Sequence, residues 1–495
     1  MKLLGVRICE HDANFTLYDN GSVSYYKPER FHQEKHKAFS IQDWEEELTR
    51  AWNITSSDLD HIAVAFDPWS HDIPKENETF FPAIDYKKFP ANCKVTRVNH
   101  HYAHALSCWP MDITPDVSIV IDGYGDDDKA WTVFKNDKLV EEGSKDKNGS
   151  IGLRMSWLAR ELGVQAHHEI DLAGKLMGLQ SYGNVDAGYK QLLSKWDIYN
   201  IDEIFNLDTW DDYKGGQFLG ELTQLDASAT IHDYIGDVLV KFFEQHCNKD
   251  DVIFYSGGVA QNVIWNTKLK KHFPNLVIPP HAADEGLSLG CIEWLRREYN
   301  LPPLSLNNFP YCQLDNNEWK PISGNTIADV ALALAEGKIV GWFHGQGEIG
   351  PRALGNRSIL FNPMIKDGKN IVNNVKKRES YRPFGASVLS DYKDMYFKDL
   401  PDNPHMLYVA EVYAKDYLKS ITHVDGTCRV QTVSEEGHFK ELLREFFEIT
   451  GCPILLNTSL NLNGKPIASS PEDAMEIFKW NNIDWLVIGN DVFSR

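Results

Sequence analysis

The first 30 residues alternate short apolar runs with turn signals. Residues 3–8, 15–18 and 22–26 are strand-like, and Asp19-Asn20-Gly21 stands between the last two runs. Two short strands around an Asn-Gly turn are typical of a β-hairpin, because both central residues of such a turn adopt positive φ. The N-terminus therefore predicts one strand followed by a hairpin.

A second copy of this pattern begins at residue 117. The apolar run 117–121 passes through Asp122-Gly123-Tyr124-Gly125-Asp126 into the strand-like run 130–134. A further apolar run, 252–255, leads into Ser256-Gly257-Gly258 and a helix-like continuation. Strands that alternate with helical stretches favour an α/β architecture. The repeated unit predicts two related halves in the N-terminal part of the chain.

A cluster of proline and asparagine at residues 300–312 separates two patterned regions. Such clusters mark loops and boundaries. Beyond it a helix-like pattern covers residues 327–336 and a strand-like run covers 338–343. We therefore predict two domains, residues 1–305 and 312–495.

Composition and charge narrow the class of protein. With 495 residues, 42% of them hydrophobic and 24% charged, the chain can bury a large core. Its formal charge of −21 disfavours long-range attraction of nucleic acids or anionic membranes. It contains no run of 18 apolar residues, and charge appears too early for a signal peptide. The eight cysteines are scattered without a C-x-x-C pair, which fits a reducing compartment. We expect a cytoplasmic protein without a membrane span.

One region departs from the acidic character of the whole. Residues 338–382 hold nine basic and three acidic residues, and Gly350 to Ser358 places Arg352 and Arg357 in one short stretch. Arginine side chains bind phosphate or carboxylate through two parallel hydrogen bonds. The region predicts an anion site, with a solvated basic face as the alternative. Asn457-Thr458-Ser459, which ends an apolar strand, is a candidate rim for a planar polar ligand.

Two histidines are spaced for a metal site. On a helix His100 and His104 lie on one face, because they are four residues apart. With carboxylates such as Asp122 and Asp284 they would suit a mononuclear iron or a similar ion. The glutamate of H-E-x-x-H is missing, which argues against a zinc protease. Two structural histidines are the alternative.

The glycine-rich turns predict a nucleotide cleft. Glycines at 123, 125, 257 and 258 follow apolar strands, where backbone N–H groups can approach a phosphate. With a third turn, Asp284-Glu285-Gly286, they fit a cleft of the actin/hexokinase type, since none of these three turns has a G-x-G-x-x-G or P-loop sequence. His11, just after the first strand, is a candidate general base there. Ordinary tight loops and a surface histidine are the alternatives.

Taken together, these segments resemble the O-carbamoyltransferase family that includes the tobramycin, cephamycin and nodulation-factor enzymes. The matching motifs follow the family's order along nearly the whole chain. They are His11-Asp12, Glu29-Arg30-Phe31, Lys35-His36, His100-His101-x-x-His104, Asp122-Gly123-x-Gly125, Gly174-Lys175-x-Met177-Gly178-Leu179, Gly257-Gly258-Val259, Asp284-x-Gly286, Gly350-Pro351-Arg352-Ala353-Leu354-Gly355-x-Arg357-Ser358, Arg378-Glu379, Arg382-Pro383-Phe384, His423-x-Asp425, Arg429 and Asn457-Thr458-Ser459.

The resemblance implies a fold and a reaction. The expected fold is α/β, with a duplicated actin-like N-terminal domain and a YrdC-like C-terminal domain. Carbamoyl phosphate would be activated with ATP to carbamoyl adenylate in the C-terminal domain, and the actin-like domain would transfer the carbamoyl group to an acceptor hydroxyl. Carbamoyl phosphate, ATP and a hydroxyl-bearing acceptor are thus the expected partners.

The resemblance also assigns roles to residues. His11 would be the base and Lys35 a second catalytic residue. Iron, or magnesium or manganese in its place, would be held by His100, His104, Asp122 and Asp284. Nucleotide and donor binding would involve Asp12, Gly123, Gly125, Lys175, Gly257, Gly258, Asn262, Arg352, Lys376, Arg382, Arg429, Asn457 and Ser459.

The sequence leaves the acceptor open. Gly385-Ala386-Ser387 and Lys465 depart from the family pattern, and the chain is shorter than typical antibiotic-modifying members. A hydroxylated small molecule and a 5-hydroxymethyl-pyrimidine of a nucleotide, DNA or RNA are equal alternatives. Threonylcarbamoyl-type tRNA modification and a non-catalytic ATP-binding scaffold are the alternative functions. The oligomeric state is open, with a homodimer among the alternatives.

Overall fold

The apolar runs at the start of the chain form the predicted strand and hairpin. In the computed structural model, which describes residues 1–66, 81–144, 149–194, 223–315, 317 and 319–495, the hairpin turns at Asn20 and Gly21. Both residues have positive φ, 48° and 102°, as the hairpin turn requires. The strands are β1 (Lys2–Ile8), β2 (Asn14–Asp19) and β3 (Ser22–Tyr26).

Two sheets of the N-terminal region share an arrangement of five strands, to which the first sheet adds the antiparallel edge strand β5. The first has the order β3-β2-β1-β4-β6-β5, with β4 parallel to β1 and β6 parallel to β4. The second has the order β11-β10-β7-β8-β9, in which β7, β8 and β9 are antiparallel neighbours and β10 and β11 run parallel to β7. The added strands are β4 (His61–Phe66), β5 (Ala83–Asp85), β6 (Lys94–Val98), β7 (Val117–Ile121), β8 (Lys129–Lys135), β9 (Lys138–Ser144), β10 (Ile253–Ser256) and β11 (Leu276–Val277).

The two sheets therefore repeat one arrangement, three antiparallel strands followed by two parallel ones. This is the duplicated α/β architecture of an actin-like fold, and it confirms the two related halves that the sequence predicts. The helices up to residue 298 are α1 (Pro28–His32), α2 (Glu45–Trp52), α3 (His100–Leu106), α4 (Ile151–Glu161), α5 (Leu172–Leu179), α6 (Ala187–Leu193), α7 (Gln224–His246), α8 (Val263–His272) and α9 (Leu287–Glu298).

Two glycines let α9 pack closely against its neighbours. A Cβ at Gly290 would stand 1.8 Å from the Ala103 carbonyl oxygen of α3, and a Cβ at Gly5 would stand 2.2 Å from the Ser288 oxygen of α9. No side chain fits at either position, so β1, α3 and α9 meet through their backbones. Because α3 carries two candidate metal ligands, this contact bears directly on the site.

The chain divides into two compact units, and a short segment near the N-terminus belongs to the second of them. The first unit comprises residues 1–23 and 38–305, and the second comprises 24–37 and 306–495. The sequence assigns residues 24–37 to a domain over 1–305, whereas in the structure they belong to the second unit. In the structure Tyr25 forms a β-bridge with Gln313, and the Leu314 N–H donates to the Tyr25 carbonyl oxygen at 2.8 Å. We call residues 24–37 the strap.

The second unit is built on one large sheet of order β15-β16-β17-β14-β18-β13-β12-β19-β20. Its strands are β12 (Val340–Phe343), β13 (Arg357–Phe361), β14 (Gly385–Leu389), β15 (Phe397–Lys398), β16 (Tyr408–Val412), β17 (Thr427–Val433), β18 (Ile454–Ser459), β19 (Trp485–Ile488) and β20 (Asp491–Ser494). Its helices after the strap are α10 (Gly324–Ala335), α11 (Gly368–Lys376), α12 (Lys393–Tyr396), α13 (His438–Thr450) and α14 (Pro471–Trp480).

Apolar side chains from these helices and strands form the core of the second unit. Val330 and Leu334 of α10, Leu443 and Phe446 of α13, and Ile359 of β13 are all fully buried in one cluster. The predicted helix over 327–336 begins three residues earlier, because the Ser323 hydroxyl accepts the Thr326 N–H and caps α10. Within the described residues, no helix combines the length and the hydropathy that a membrane crossing requires.

Candidate active site

Helix α3 presents two histidines to one point. The Asn99 side chain accepts the Tyr102 N–H and starts the helix, so His100 and His104 follow on the same face. Their ring centroids are 5.0 Å apart. Both side chains are buried, at 1% and 0% exposure. His101, between them, faces elsewhere and contacts the Thr132 hydroxyl at 3.1 Å.

Two carboxylates complete a cluster with these imidazoles. The His104 Nε2 atom lies 3.1 Å from Asp122 Oδ2 and 3.4 Å from Asp284 Oδ1. The His100 Nε2 atom lies 3.5 Å from each of the same two oxygens. One ligand atom from each of the four residues falls within 4.8 Å of all the others. The structure thus brings the four sequence-predicted metal ligands together.

Asp122 is fixed by the turn that follows β7. Its Oδ1 atom accepts the Gly123 N–H at 2.7 Å and the Gly258 N–H at 3.1 Å, which leaves Oδ2 toward the imidazoles. A Cβ at Gly258 would stand 2.9 Å from Asp122 Oδ1, so glycine is needed for this approach. Burial alone would raise the pKa of Asp122, but hydrogen bonds with His100 and His104 hold it well below its usual range.

Asp284 is fixed by a buried arginine that the sequence analysis does not single out. The Arg7 Nη2 and Nε atoms donate to Asp284 Oδ2 at 2.8 Å and 3.2 Å, and Arg7 is fully buried. Burial would raise the pKa of Asp284, but the charges of His100 and Arg7 hold it well below its usual range. The sequence does offer a signal for this pair, because an arginine inside the apolar strand β1 is expected to be buried only with a charged partner.

His11 stands beside this cluster in a strained loop. Cys9, Glu10 and Asp12 all have positive φ, a conformation that concentrates at functional sites. The His11 Nδ1 atom lies 3.1 Å from Asp12 Oδ2 and 3.8 Å from Asp284 Oδ2. Burial lowers its pKa, but the hydrogen bond with Asp12 and the charge of Asp284 outweigh burial and raise the pKa to about 9. At neutral pH the His11 imidazole therefore carries a proton in the absence of a bound cation.

Asn14 ties the strained loop to Asp284, and sequence reasoning missed it. Its Nδ2 atom donates to the Asp12 carbonyl at 2.6 Å and to the Asp284 carbonyl at 2.9 Å. Its Oδ1 atom accepts the Ser288 N–H at 3.0 Å. Asn14 is fully buried. One side-chain amide therefore links the loop that carries His11, the candidate metal ligand Asp284 and the start of α9.

The donor set fits a divalent transition metal ion. Two buried carboxylates that face each other repel, and a cation between them would remove that cost. Two imidazole nitrogens with carboxylate oxygens suit iron and related ions, whereas magnesium and calcium prefer oxygen alone. The nearby Arg7 supplies one positive charge and leaves the other carboxylate uncompensated. The four residues therefore match, in ligand type, number and placement, the metal ion that the family resemblance implies.

The predicted nucleotide residues of the first unit line the turns beside Asp122. Gly257 has a φ of +93°, and a Cβ there would meet the Ile121 carbonyl at 2.2 Å. A Cβ at Gly125 would meet the His101 ring at 2.6 Å. Asn262 caps α8 through its Oδ1 atom, and its Nδ2 atom contacts His232 Nε2 at 2.9 Å. Lys175, on α5, donates to the Gln165 carbonyl, and its contact with a nucleotide stays a prediction.

The second unit gathers several half-buried arginines around the buried Lys376. Burial, with repulsion from Arg352 and Arg378, holds the pKa of Arg429 well below its usual range, and Arg382 adds to the repulsion. Burial and the charges of Arg378 and Arg382 lower the pKa of Lys376 in the same way. Arg382 reaches Glu379 only at 3.6 Å. This excess of positive charge in a buried region is suited to an anionic ligand.

Lys376 and Asn457 form hydrogen bonds with other residues of the second unit. The Lys376 Nζ atom donates to the Ser459 carbonyl at 2.6 Å and also to the Asn461 side chain. The Asn457 Nδ2 atom donates to the Ala353 carbonyl at 3.3 Å and to the Ser387 hydroxyl at 2.9 Å. In this structure both residues stabilise loops beside the cations. Their predicted contact with a ligand stays a prediction.

Lys35 belongs to the strap and is half-buried. The strap is part of the second unit, whereas His11 is part of the first. The catalytic role of Lys35 stays a prediction.

Comparison with protein families covers most of the chain. Residues 83–292 match the family model described as "Carbamoyltransferase N-terminus". Residues 331–495 match the model described as "Carbamoyltransferase C-terminus". The first match includes the histidine-aspartate cluster, and the second includes the half-buried arginines and Lys376.

Individual relatives agree with this match. The nodulation protein NolO of Bradyrhizobium diazoefficiens is 32% identical over 434 residues, which cover 79% of this chain and 78% of that protein. A 3'-hydroxymethylcephem-O-carbamoyltransferase of Amycolatopsis lactamdurans is 31% identical over 345 residues, 65% of each chain. Among solved structures, full-length HypF superposes with a TM-score of 0.40 and 14% identity, over 61% of this chain and 56% of that one. So distant a structural likeness carries no inference about function.

Proposed function

Because this chain belongs to the carbamoyltransferase family, we propose that it is an ATP-dependent O-carbamoyltransferase that uses carbamoyl phosphate as donor. The observation that carries the proposal is the gathering of His11, Asp12 and the histidine-aspartate cluster of the first unit at one place. These residues come from distant parts of the sequence, and together they offer a proton acceptor beside a cation-binding group. That combination suits transfer of an acyl-type group to a hydroxyl.

The second unit would activate the donor. Arg352, Arg382 and Arg429 would bind the phosphate of carbamoyl phosphate, since a guanidinium group pairs with two phosphate oxygens through parallel hydrogen bonds. One water molecule attacks the phosphorus of carbamoyl phosphate, the bond from that phosphorus to the carbamoyl oxygen breaks, and inorganic phosphate and carbamate form. The resulting carbamate oxygen attacks the α-phosphorus of ATP, pyrophosphate leaves, and carbamoyl adenylate forms. A buried site protects both reactive compounds from water.

The first unit would carry out the transfer. His11 Nδ1 is held by Asp12, which leaves Nε2 to accept the proton of the acceptor hydroxyl. The hydroxyl oxygen attacks the carbamoyl carbon, AMP leaves, and the acceptor carries a new carbamate ester.

Asp122, Asp284, His100 and His104 would hold the metal ion in this reaction. Such an ion would supply positive charge for nucleotide phosphates and compensate the two carboxylates. By offsetting the charge of Asp284, such an ion would lower the pKa of His11 from about 9, although the hydrogen bond with Asp12 would still raise it, and a lower pKa would make the imidazole a more effective base near neutral pH.

The acceptor would be a hydroxyl on a small molecule or on a hydroxymethylated pyrimidine. The relative from Amycolatopsis is named for a hydroxymethyl group, which both classes share. The formal charge of −21 opposes a long polyanion unless cations are placed locally.

Pyrophosphate release tests the proposal without knowledge of the acceptor. ATP is incubated with the iron-supplied protein, with and without carbamoyl phosphate. The proposal expects release that depends on carbamoyl phosphate, followed by carbamate ester formation on sugar alcohols or on hydroxymethylcytosine DNA. ATP binding without any such release would favour a non-catalytic scaffold and contradict the proposal.

A further inference from the structure

We infer that Arg30, a residue of the N-terminal strap, is a positioning residue that fixes the loop carrying Arg352. The inference rests on the proposed function, because it assigns Arg352 to the donor. Arg30 itself would not touch the donor. It would act through the backbone of the loop from Glu348 to Leu354, which we call the donor loop.

Arg30 binds the donor loop at the turn that precedes Arg352. Its Nη2 atom donates to the Gly350 carbonyl oxygen at 2.8 Å. Arg30 is 2% exposed, so this bond is shielded from water. A hydrogen bond from a charged donor is stronger than a neutral one, and more so when it is buried. Because Gly350 lies only two residues before Arg352, fixing the Gly350 backbone also restricts the position of the Arg352 backbone.

Residues outside the strap hold the rest of the donor loop. Glu348 Oε1 accepts the Leu354 N–H at 2.8 Å, and the Leu354 carbonyl accepts from Gln431 Nε2 at 2.8 Å and from the Tyr311 hydroxyl at 3.0 Å. The Ile349 N–H donates to the Pro310 carbonyl at 2.9 Å. The loop is thus fixed on both sides of Arg352, and the strap supplies the clamp on Gly350.

The strap has anchors of its own. The Lys27 N–H donates to Gln313 Oε1 at 3.1 Å, next to the β-bridge of Tyr25. At the far end, the Lys465 Nζ atom donates to the Gln33 carbonyl at 3.0 Å. Replacement of Arg30 therefore removes the clamp on Gly350 without detaching the strap.

The inference is tested by variants that separate the clamp from the fold. Arg30→Met keeps much of the side-chain volume but donates no hydrogen bond, and Arg30→Lys keeps one charged donor. Lys393→Met is the matched control, because Lys393 Nζ donates to the Leu400 carbonyl at 2.7 Å in the same unit, away from the donor loop. Each full-length variant is assayed for carbamoyl-phosphate-dependent pyrophosphate release, after circular dichroism confirms that it is folded.

We expect Arg30→Met to raise the KM for carbamoyl phosphate by about tenfold, roughly the value of one charge-assisted hydrogen bond, with a smaller effect on kcat. Arg30→Lys should recover part of that loss, and Lys393→Met should match the wild type. A KM unchanged in Arg30→Met, while the wild type is active, would overturn the inference. A wild type that releases no pyrophosphate would instead overturn the proposed function.

A double-mutant cycle tests whether Arg30 acts through Arg352. Arg352→Lys is combined with Arg30→Met, and kcat/KM is measured for all four proteins. If Arg30 positions Arg352, its replacement should cost less than about twofold in the Arg352→Lys background. A full tenfold cost there would show that Arg30 acts independently, against the inference. If Arg30→Met or Arg352→Lys is too inactive to assay, stabilisation of each folded protein against heat by carbamoyl phosphate or inorganic phosphate gives the same comparison.

Discussion

At the scale of residues, the candidate metal site depends on both local and distant relations. His100 and His104 lie on one helical turn, so their spacing alone predicts that they face one point. Asp122 and Asp284 follow different turns of the fold, so the sequence offers them as candidate ligands, but their spacing does not predict that they meet the histidines. Arg7 and Asn14 escaped notice because Asp284, the residue that both of them hold, lies more than 200 residues away along the chain.

Replacement of one imidazole tests the metal site. His104→Asn should lower the bound iron to a small fraction of the wild-type stoichiometry, because ligand number and geometry control affinity. Metal content is measured by elemental analysis after reconstitution. His101→Gln is the matched control, since His101 is a buried histidine of the same helix that lies outside the cluster. Equal iron content in wild type and His104→Asn would contradict the assignment.

At the scale of elements, the site depends on how closely α3 and α9 pack. The sequence predicted an α/β architecture and two related halves from strand patterns and turns, and the two sheets confirm both. It did not predict which helices carry glycine contacts, because a glycine in a helix does not indicate what approaches it. A Cβ at position 290 would stand 1.8 Å from the Ala103 carbonyl oxygen, so α9 needs a glycine there.

An alanine at this contact should destabilise the first unit. Gly290→Ala forces α9 away from α3, and we expect a loss of about 3 kcal/mol, the range of overpacked cores. Gly174→Ala on α5 is the control, because nothing lies within 4 Å of its Cβ position. There alanine should be neutral or stabilising by up to about 1 kcal/mol. Urea unfolding measures both, and equal stability of the two variants would show that α9 tolerates the shift.

At the scale of the whole molecule, the division of the chain was only partly predictable. The proline and asparagine cluster at 300–312 marks the point where the second unit resumes, at residue 306. The strap was not predicted to join that unit, because the bonds of Tyr25 and Arg30 with Gln313 and Gly350 leave no local pattern in the sequence. The YrdC-like identity of the second unit and the roles of its cations stay predictions.

Buried histidines predict how the whole molecule responds to acid. Burial lowers the pKa of His61, His344 and His405 to about 4, and that of His232 and His438 to about 3. The unfolded chain therefore takes up protons first as pH falls below about 6.5, and the free energy of unfolding decreases. The raised pKa values of His11 and His104 act in the opposite direction.

We expect the histidines with lowered pKa values, which also include His101 and His246, to outweigh these two. The free energy of unfolding should fall between about pH 6.5 and pH 4, by up to ~1.4 kcal/mol per pH unit for each histidine that contributes fully. Urea unfolding across this range measures the slope. A free energy of unfolding that stays constant over the window would show that these histidines are accessible to protons in the folded state.

The most direct test of the whole account separates the two half-reactions. Carbamoyl-phosphate-dependent pyrophosphate release is measured without acceptor in wild type, His11→Asn and Arg352→Ala. Because donor activation is assigned to the second unit and proton removal from the acceptor to the first, His11→Asn should release pyrophosphate at the wild-type rate. Arg352→Ala should lose roughly 100-fold or more, the usual cost of removing a preorganised cation or donor. Equal loss in both variants, or full release in Arg352→Ala, would contradict this division of labour.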